Sequence, residues 1–321
     1  MLAGGVGGSR FTQGVRRAYP GAGITVIGNT ADDVTLHGLR ICPDLDTLMY
    51  TLGGGGDAVR GWGRLDESWR AVEELRAYGA EDTWFGLGDR DLGTHLFRTR
   101  LLAEGLPLSA VTDRLCARWL AHDPALHLVP MTDDRVETYV DVADADAPGG
   151  RRSVHFQEYW VRLHAEPEAL AVVRRGIEDA RPAPGVVEAL TEADLVLVGP
   201  SNPVVSIGPI LAVPGLRSAL RSAPAPVVGF SGILRGAPVL GMAHRLLPAI
   251  GVAVDAGAVG RHYGTRAADG VLDAWVVDEG DAELVGDVEA AGLRTLTGSL
   301  VMSSPDATAA FLRAAVDAVE R

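Results

Sequence analysis

Short apolar runs alternate along the chain with longer amphipathic stretches. The β-branched residues at 24–27 are bounded by glycines and predict a buried strand. Four consecutive apolar residues at 195–198 are typical of a strand that is buried on both faces of a parallel sheet. Helical patterns follow at 184–193 and after Ser304, a candidate helix cap that precedes a proline. This alternation predicts an α/β fold with a Rossmann-like three-layer core and a mostly parallel sheet.

Two segments interrupt the alternation. Apolar residues recur at helical spacing through 57–121, which predicts a helical insertion. Alternating runs at 136–142 and 154–160 flank a polar turn and predict a β-hairpin excursion at about 136–160. The Rossmann-like core is then predicted to comprise 1–56 and 122–321. Further core strands are predicted at 126–130, 227–230, 252–254 and 272–277 and near Thr295.

Composition limits the classes of function. The formal net charge of -13 disfavours a nucleic-acid partner, because phosphate backbones are bound by clustered basic residues. No apolar run approaches the roughly eighteen residues that a membrane span needs, so we expect a cytoplasmic protein without a membrane partner. Cys42 and Cys116 are not spaced like a zinc site or a disulfide framework, which favours a reducing compartment.

The glycine-rich segment at 2–11 resembles the turn after the first strand of a nucleotide-binding unit, although only three apolar residues precede it. Gly5, Gly7 and Gly8 are therefore candidate contacts to a ligand. The G-x-G-x-x-G fingerprint is not met, because Arg10 stands in place of the third glycine. All 29 basic residues are arginine, so a phosphorylated substrate would be held by guanidinium groups, helix N-H groups or a metal.

Four aspartates follow the predicted strand at 24–27 within fifteen residues: Asp32, Asp33, Asp44 and Asp46. A loop at the carboxyl end of such a strand lies on the ligand-binding edge of a parallel sheet. The carboxylates would repel one another unless a cation such as Mg2+ relieved them. In an extended segment Asp44 and Asp46 would project to the same side and could share the ion. Alternatively, these residues cap turns or are simply solvated.

A second polar cluster lies at a probable helix start in 86–101, where Asp89, Arg90, Asp91 and His95 are crowded together. One interpretation is a charge-recognition site that uses the planar fork of Arg90. The other is that Asp91 or a nearby threonine caps the helix while Arg90 pairs with a neighbouring carboxylate.

A third candidate site is the loop that follows the 195–198 strand. It carries Ser201, Asn202 and Ser206 between prolines. Small hydroxyl and amide groups at the carboxyl end of a strand suit contacts to a phosphate or a base. An ordinary turn between a strand and a helix remains the alternative.

Seven segments occur in an order that resembles the 2-phospho-lactate transferase family of deazaflavin coenzyme F-420 biosynthesis: LAGGVGGSRF, GNTADD, CPDLDTLMY, GDRDLGTHL, PMTDDRVETYV, HFQEYWV and GPSNPVVSIGPIL. The resemblance covers nearly the whole chain and departs from the family in its short first strand. It implies a Rossmann-like core, a homodimer and Mg2+. It also implies transfer of a phosphoenolpyruvyl or 2-phospho-L-lactyl group from a guanosine diphospho donor to the terminal hydroxyl of 7,8-didemethyl-8-hydroxy-5-deazariboflavin, with release of GMP.

The resemblance also suggests roles for individual residues. By match to CPDLDT and GDRD, Asp46 and Arg90 are the expected deazaflavin or catalytic contacts. The chemistry of a diphosphate donor adds Asp44 as a catalytic residue and as an Mg2+ ligand with Asp46. The full set of predicted substrate-binding residues is Gly5, Gly7, Gly8, Asn29, Thr30, Asp33, Asp89, Ser201, Asn202 and Ser206.

Two other functions compete with this one. The first is a non-catalytic regulator that binds nucleotide sugars, although pure binding gives no reason for CPDLDT together with GDRD. The second is a nicotinamide oxidoreductase, which the broken glycine fingerprint and Asn29 disfavour, since an acidic residue more often stands at that position.

Overall fold

A computed structural model describes residues 1–320 of the chain. Its strands are β1 (Leu2–Ala3), β2 (Ile24–Gly28), β3 (Val34–Leu36), β4 (Leu39–Ile41), β5 (Leu126–Pro130), β6 (Glu137–Ala143), β7 (Arg151–His155), β8 (Ala169–Arg175), β9 (Val196–Val198), β10 (Val227–Phe230), β11 (Ile233–Leu234), β12 (Ala237–Pro238), β13 (Ala274–Asp278) and β14 (Arg294–Gly298). Its α-helices are α1 (Gly5–Ala18), α2 (Pro43–Leu52), α3 (Arg70–Ala77), α4 (Asp89–Ala103), α5 (Leu108–Trp119), α6 (Val186–Thr191), α7 (Ile207–Ala212), α8 (Leu216–Ser222), α9 (Ala243–Leu246), α10 (Ala256–Tyr263), α11 (Val285–Ala290) and α12 (Pro305–Glu320).

Seven of these strands form one parallel sheet in the order β14-β13-β10-β9-β1-β2-β5. Helices flank it, so the predicted α/β Rossmann-like fold is confirmed. The chain runs outward from β1 through β2 to β5, and then returns to β9 and runs outward in the opposite direction. The order of the strands therefore reverses between β1 and β9, and ligands of open parallel sheets bind at such a reversal.

The two faces of the sheet bury separate hydrophobic clusters, because successive strand residues point to opposite faces. Val196 and Val198 of β9 join one cluster, whereas Leu197 between them joins the other. Helices α1, α2, α5 and α12 contribute to the cluster of Leu197, and α6, α7, α8 and α10 contribute to the other. The short β1 is fully buried between its neighbours, which explains how two residues suffice as a central strand.

The predicted hairpin is one part of a three-stranded antiparallel sheet with the order β7-β6-β8. Its first strand is confirmed, but the prediction of a strand across 154–160 is wrong beyond His155. Residues Glu158–Arg162 form a π-helix instead. Phe156 and Tyr159 are spaced as on a helical turn, and both are buried. Their spacing therefore fits the observed helix better than a strand.

The region predicted as a helical insertion contains α3, α4 and α5. Leu108 and Val111 of α5 lie in the same hydrophobic cluster as Ile24 of the central sheet. Nothing in this packing tests the predicted division of the chain into core and insertion, which stays a prediction. The predicted strand at 252–254 is absent, because this short segment leads directly into α10, which Asp255 caps by accepting from the Ala258 N-H.

Candidate active site

The glycine-rich turn and the loop after β9 meet where the strand order reverses. The backbone N-H of Gly4 donates to Oγ of Ser201 at 3.0 Å, and the same hydroxyl donates to the Gly4 carbonyl at 2.9 Å. A Cβ on Gly8 would lie 2.7 Å from Oγ of Ser201, so only glycine permits this approach. Ser201 and Gly8 therefore join two predicted binding loops into one wall.

A cavity of about 1120 Å³ opens in front of this wall. It is somewhat larger than most sites for one small ligand and therefore has room for two substrates. The loops above line it, together with the start of α1. Aromatic side chains also line it, among them Trp62, Trp84, Phe85 and Trp160. The predicted site residues that line the cavity are Gly5, Gly7, Asp44, Asp46, Ser201, Asn202 and Ser206.

Asp44 is held at the centre of this wall. Its Oδ2 accepts from Nδ2 of Asn29 at 3.0 Å and from Oγ of Ser206 at 3.4 Å. Asn29 also donates to the Val205 carbonyl at 3.0 Å, so it braces Asp44 from behind and does not line the cavity. Burial raises the pKa of Asp44 to about 6, and these hydrogen bonds oppose the rise.

Asp32 shares the cavity with Asp44 and lacks a complete set of partners. The residue is 3% exposed, and its Oδ1 makes no hydrogen bond within residues 1–320. Burial, aided by the negative charge of Asp44, raises the pKa of Asp32 well above its ordinary value. A buried carboxylate oxygen without a donor is a position that a cation can satisfy.

Two other predicted contacts lie behind this wall. Asp33 is held by Arg40 at 3.0 Å, and Oγ1 of Thr30 is buried without a partner in the described chain. Neither residue lines the cavity.

The prediction that Asp44 and Asp46 lie in an extended segment is wrong. Pro43 is the first residue of α2, and both aspartates lie in its first turn, where carboxylates favour a helix start. Residues two apart on a helix point to different sides. Consequently Asp44 contacts the loop after β9, whereas Asp46 contacts α4. A shared metal site for these two residues stays a prediction that the geometry does not favour.

Asp46 is bound by Arg98 of α4, a residue that the sequence analysis missed. Nη1 of Arg98 donates to Oδ2 of Asp46 at 3.0 Å, and Nη2 donates to Oδ1. Arg98 also lies 3.2 Å from Nδ1 of His95. The three groups form a buried polar cluster, in which Asp46 and His95 line the cavity.

A second carboxylate holds the other side of His95. Oδ2 of Asp91 lies 3.2 Å from Nε2 of His95, a close contact whose angle is too poor for an aligned hydrogen bond. The hydroxyl of Tyr50 donates to Oδ1 of Asp91 at 2.6 Å. Burial alone would raise the pKa of Asp91, but His95, Tyr50 and Arg98 lower it below its ordinary value.

The structure does not bring Asp89 and Arg90 to the cavity. Asp89 caps α3 by accepting from the Ala71 N-H at 2.9 Å. The Arg90 guanidinium is exposed and donates to the Leu65 carbonyl at 3.3 Å. Glu67 accepts from the Arg90 N-H at 2.6 Å, and thus caps α4 in place of the expected Asp91 or threonine. Substrate or catalytic roles for Asp89 and Arg90 stay predictions without geometric support.

A family model described as 2-phospho-L-lactate transferase matches residues 1–297. The chain belongs to this family. It is therefore a transferase of coenzyme F-420 biosynthesis.

Two full-length relatives of this transferase are phosphoenolpyruvate transferases. That of Streptomyces griseus is 56% identical over 320 residues, which cover 100% of this chain and 98% of the relative. That of Mycolicibacterium smegmatis is 50% identical over 327 residues, which cover 99% and 97%. A solved structure of an upf0052 family protein from Bacillus halodurans has a TM-score of 0.64 and 15% identity, and covers 100% and 97%. At that identity the likeness shows only the fold.

None of the helices within residues 1–320 combines the length and the apolar character that crossing a bilayer requires. Cys42 and Cys116 are both buried, and neither is in a disulfide.

Proposed function

We propose that this transferase moves a phosphoenolpyruvyl group from a guanosine diphospho donor to the terminal hydroxyl of 7,8-didemethyl-8-hydroxy-5-deazariboflavin and releases GMP. The names of the full-length relatives favour the phosphoenolpyruvyl donor over the 2-phospho-L-lactyl donor. The observation that carries the proposal is the composition of the cavity. Its lining combines carboxylates and the glycine-rich start of α1 with aromatic rings.

These two kinds of lining group suit the two substrates. The N-H groups of a helix start attract phosphate oxygens. In α1 the Gly5 N-H is directed at Asp44, and the N-H groups of Val6 and Gly7 precede the first intrahelical bond, from the Gly8 N-H to the Gly4 carbonyl. The rings of Trp62, Trp84 and Trp160 offer flat apolar surface to a planar tricyclic acceptor. The reaction centre would then lie between them, next to Asp44.

Mg2+ is the cofactor that we propose for this site. Within residues 1–320, no three His, Cys, Asp or Glu side chains form a ready-made metal cluster. Mg2+ does not need one, because it commonly binds one or two carboxylates and keeps several waters. Asp32 and Asp44 fit this requirement, since Oδ1 of Asp32 is buried without a donor. When bound, the ion would neutralise charge on the diphosphate.

The protein's own residues would supply positioning and charge. Asn29 and Ser206 fix Asp44, and Ser201 fixes the two loops, so that donor and acceptor meet in line. Arg98 keeps the carboxylate of Asp46 in place at the cavity wall. The aromatic rings would exclude water, which otherwise competes with the acceptor hydroxyl for the phosphoryl group.

A direct assay tests the proposal. Purified protein is mixed with Mg2+, the deazaflavin alcohol and either the phosphoenolpyruvyl or the phospholactyl guanosine diphospho donor. Mass spectrometry then follows the acceptor product, and chromatography follows GMP. We expect product and GMP in equal amounts, with the phosphoenolpyruvyl donor preferred. Absence of both with either donor would overturn the proposal.

The homodimer implied by the family resemblance and the cytoplasmic location expected from the composition are proposals too. Light scattering on the purified protein measures its mass in solution, and a monomer would contradict the dimer.

A further inference from the structure

Two arginines of the described chain line the cavity, and they differ in their partners. Nη2 of Arg60 lies 3.0 Å from Oδ2 of Asp57 and donates to the Arg64 carbonyl at 2.7 Å. The guanidinium of Arg10 makes no hydrogen bond or ion pair with any residue in 1–320. Arg10 is therefore the cavity arginine whose charge is available to a ligand.

The position of Arg10 on α1 directs it toward the helix start. Arg10 follows Val6 by four residues and Gly7 by three, so the three lie on one face of the helix, and all three line the cavity. Side chains of a helix lean toward its N-terminus, which carries the guanidinium back over the first turn. The Gly5 N-H is directed at the carboxylate of Asp44, whereas the N-H groups of Val6 and Gly7 have no acceptor within the helix. Two kinds of oxyanion donor are thus available at one place.

The negative charge of the cavity requires a cationic group if an anionic donor is to bind. Asp32 and Asp44 line the same space, and no arginine forms a salt bridge with either of them in residues 1–320. A donor that carries a diphosphate and a carboxylate would meet these carboxylates directly. A divalent ion on Asp32 and Asp44 would offset part of the repulsion, and the remaining anionic group needs a separate cation.

We propose that Arg10 binds an oxyanion of the donor, either a phosphate or the carboxylate of the transferred acid, and so selects anionic donors. The proposal rests on the proposed function. It assigns to Arg10 the charge recognition that GDRD suggested for Arg90, whose guanidinium is exposed outside the cavity. The planar guanidinium group of arginine can donate paired hydrogen bonds to a phosphate or to a carboxylate.

Binding measurements separate the two oxyanions. GDP carries phosphates and no carboxylate, whereas phosphoenolpyruvate also carries a carboxylate. Calorimetry with each ligand and Mg2+ would compare the parent protein with Arg10→Gln. We expect a loss of affinity of roughly 10-fold or more, as for a charge-assisted hydrogen bond. Weaker GDP binding identifies a phosphate contact, and weaker phosphoenolpyruvate binding with unchanged GDP binding identifies the carboxylate.

Two further variants make the result decisive. Arg17→Gln removes the same charge from the same helix, but Arg17 is exposed and pairs with Asp306, so binding should not change. Arg10→Lys keeps the positive charge but lacks the planar guanidinium, so it should bind with intermediate affinity. It also tests the proposal if Arg10→Gln fails to fold. Unchanged binding of both ligands by the Arg10 variants, or no binding by the parent, would overturn the proposal. Parent protein that binds GDP but transfers no group would overturn the proposed function alone.

Discussion

Asp46 and Arg98 form a two-pronged ion pair between α2 and α4, with side-chain exposures of only 7% and 2%. Both carboxylate oxygens of Asp46 accept from the guanidinium, so the carboxylate has little capacity left to remove a proton from the acceptor. Burial alone would lower the pKa of Arg98, but the charge of Asp46 raises it above its ordinary value. We therefore expect Asp46 to position the cavity wall.

Arg98→Gln should lower the free energy of unfolding by about 3–5 kcal/mol, because it leaves Asp46 buried without its counter-charge. Urea denaturation measures the loss. The matched control is Arg100→Gln on the same helix, whose ion pair with Glu104 is exposed and should contribute little. Equal stability of the two variants would show that the buried pair is not a stabilising contact.

Gly4→Ala should displace Asp44 and reduce turnover, because a Cβ there would lie 2.3 Å from Oδ2 of Asp44 and 2.8 Å from Cβ of Ser206. Gly7→Ala is the control for folding, since its Cβ would lie 3.4 Å from the Pro200 carbonyl oxygen. The melting temperature should fall for Gly4→Ala and change little for Gly7→Ala. A Gly4→Ala protein with the parent's melting temperature and turnover would contradict the close packing.

Sequence patterns predicted the sheet better than the site. The strands β2 and β9 were found because their apolar runs reflect burial on both faces. Helix α2 was not predicted, although Pro43 and the aspartates Asp44 and Asp46 are signals for a helix start. Their period-two spacing suggested an extended segment, and the helix separates the two carboxylates.

The role of Arg98 depends on tertiary contacts. Asp91, His95 and Arg98 recur at helical spacing, so one polar face of α4 was visible in principle. The partner of that face is Asp46, 52 residues away. No local pattern predicts such a pairing. The meeting of Gly4 with Ser201 is equally non-local, because it follows from the strand order and not from either loop alone.

The contribution of His155 to stability should decrease as pH falls below about 6.5, whereas the raised pKa values of Asp32, Asp33 and Asp44 act in the opposite direction. Burial lowers the pKa of His155 below its ordinary value. Its Nδ1 accepts from the Gln157 N-H at 3.1 Å, and protonation of Nδ1 would break this bond. The unfolded chain therefore binds the proton more readily, which favours unfolding at acid pH. Relative to the parent, His155→Gln should therefore gain stability as pH falls from about 6.5 to 5, and an unchanged difference in melting temperature over that range would contradict this.

Asp32→Asn should stabilise the metal-free protein while weakening its response to Mg2+. The carboxylate of Asp32 is buried with one oxygen unpartnered, so a neutral amide removes a desolvation cost at neutral pH. The same change removes one of the two proposed ion contacts. Parent protein should melt at a higher temperature with Mg2+ than with EDTA, because the ion binds the folded state.

Differential scanning fluorimetry with and without Mg2+ measures both effects, and EDTA should stop turnover by the parent. Asp306→Asn is the control, since Asp306 is a surface carboxylate with 72% side-chain exposure. It should leave the Mg2+ response unchanged. If Asp32→Asn keeps the full Mg2+ shift while Asp46→Asn loses it, the ion is held by the Asp46 side of the cavity. The ion pair of Asp46 with Arg98 would then have to open when the metal binds.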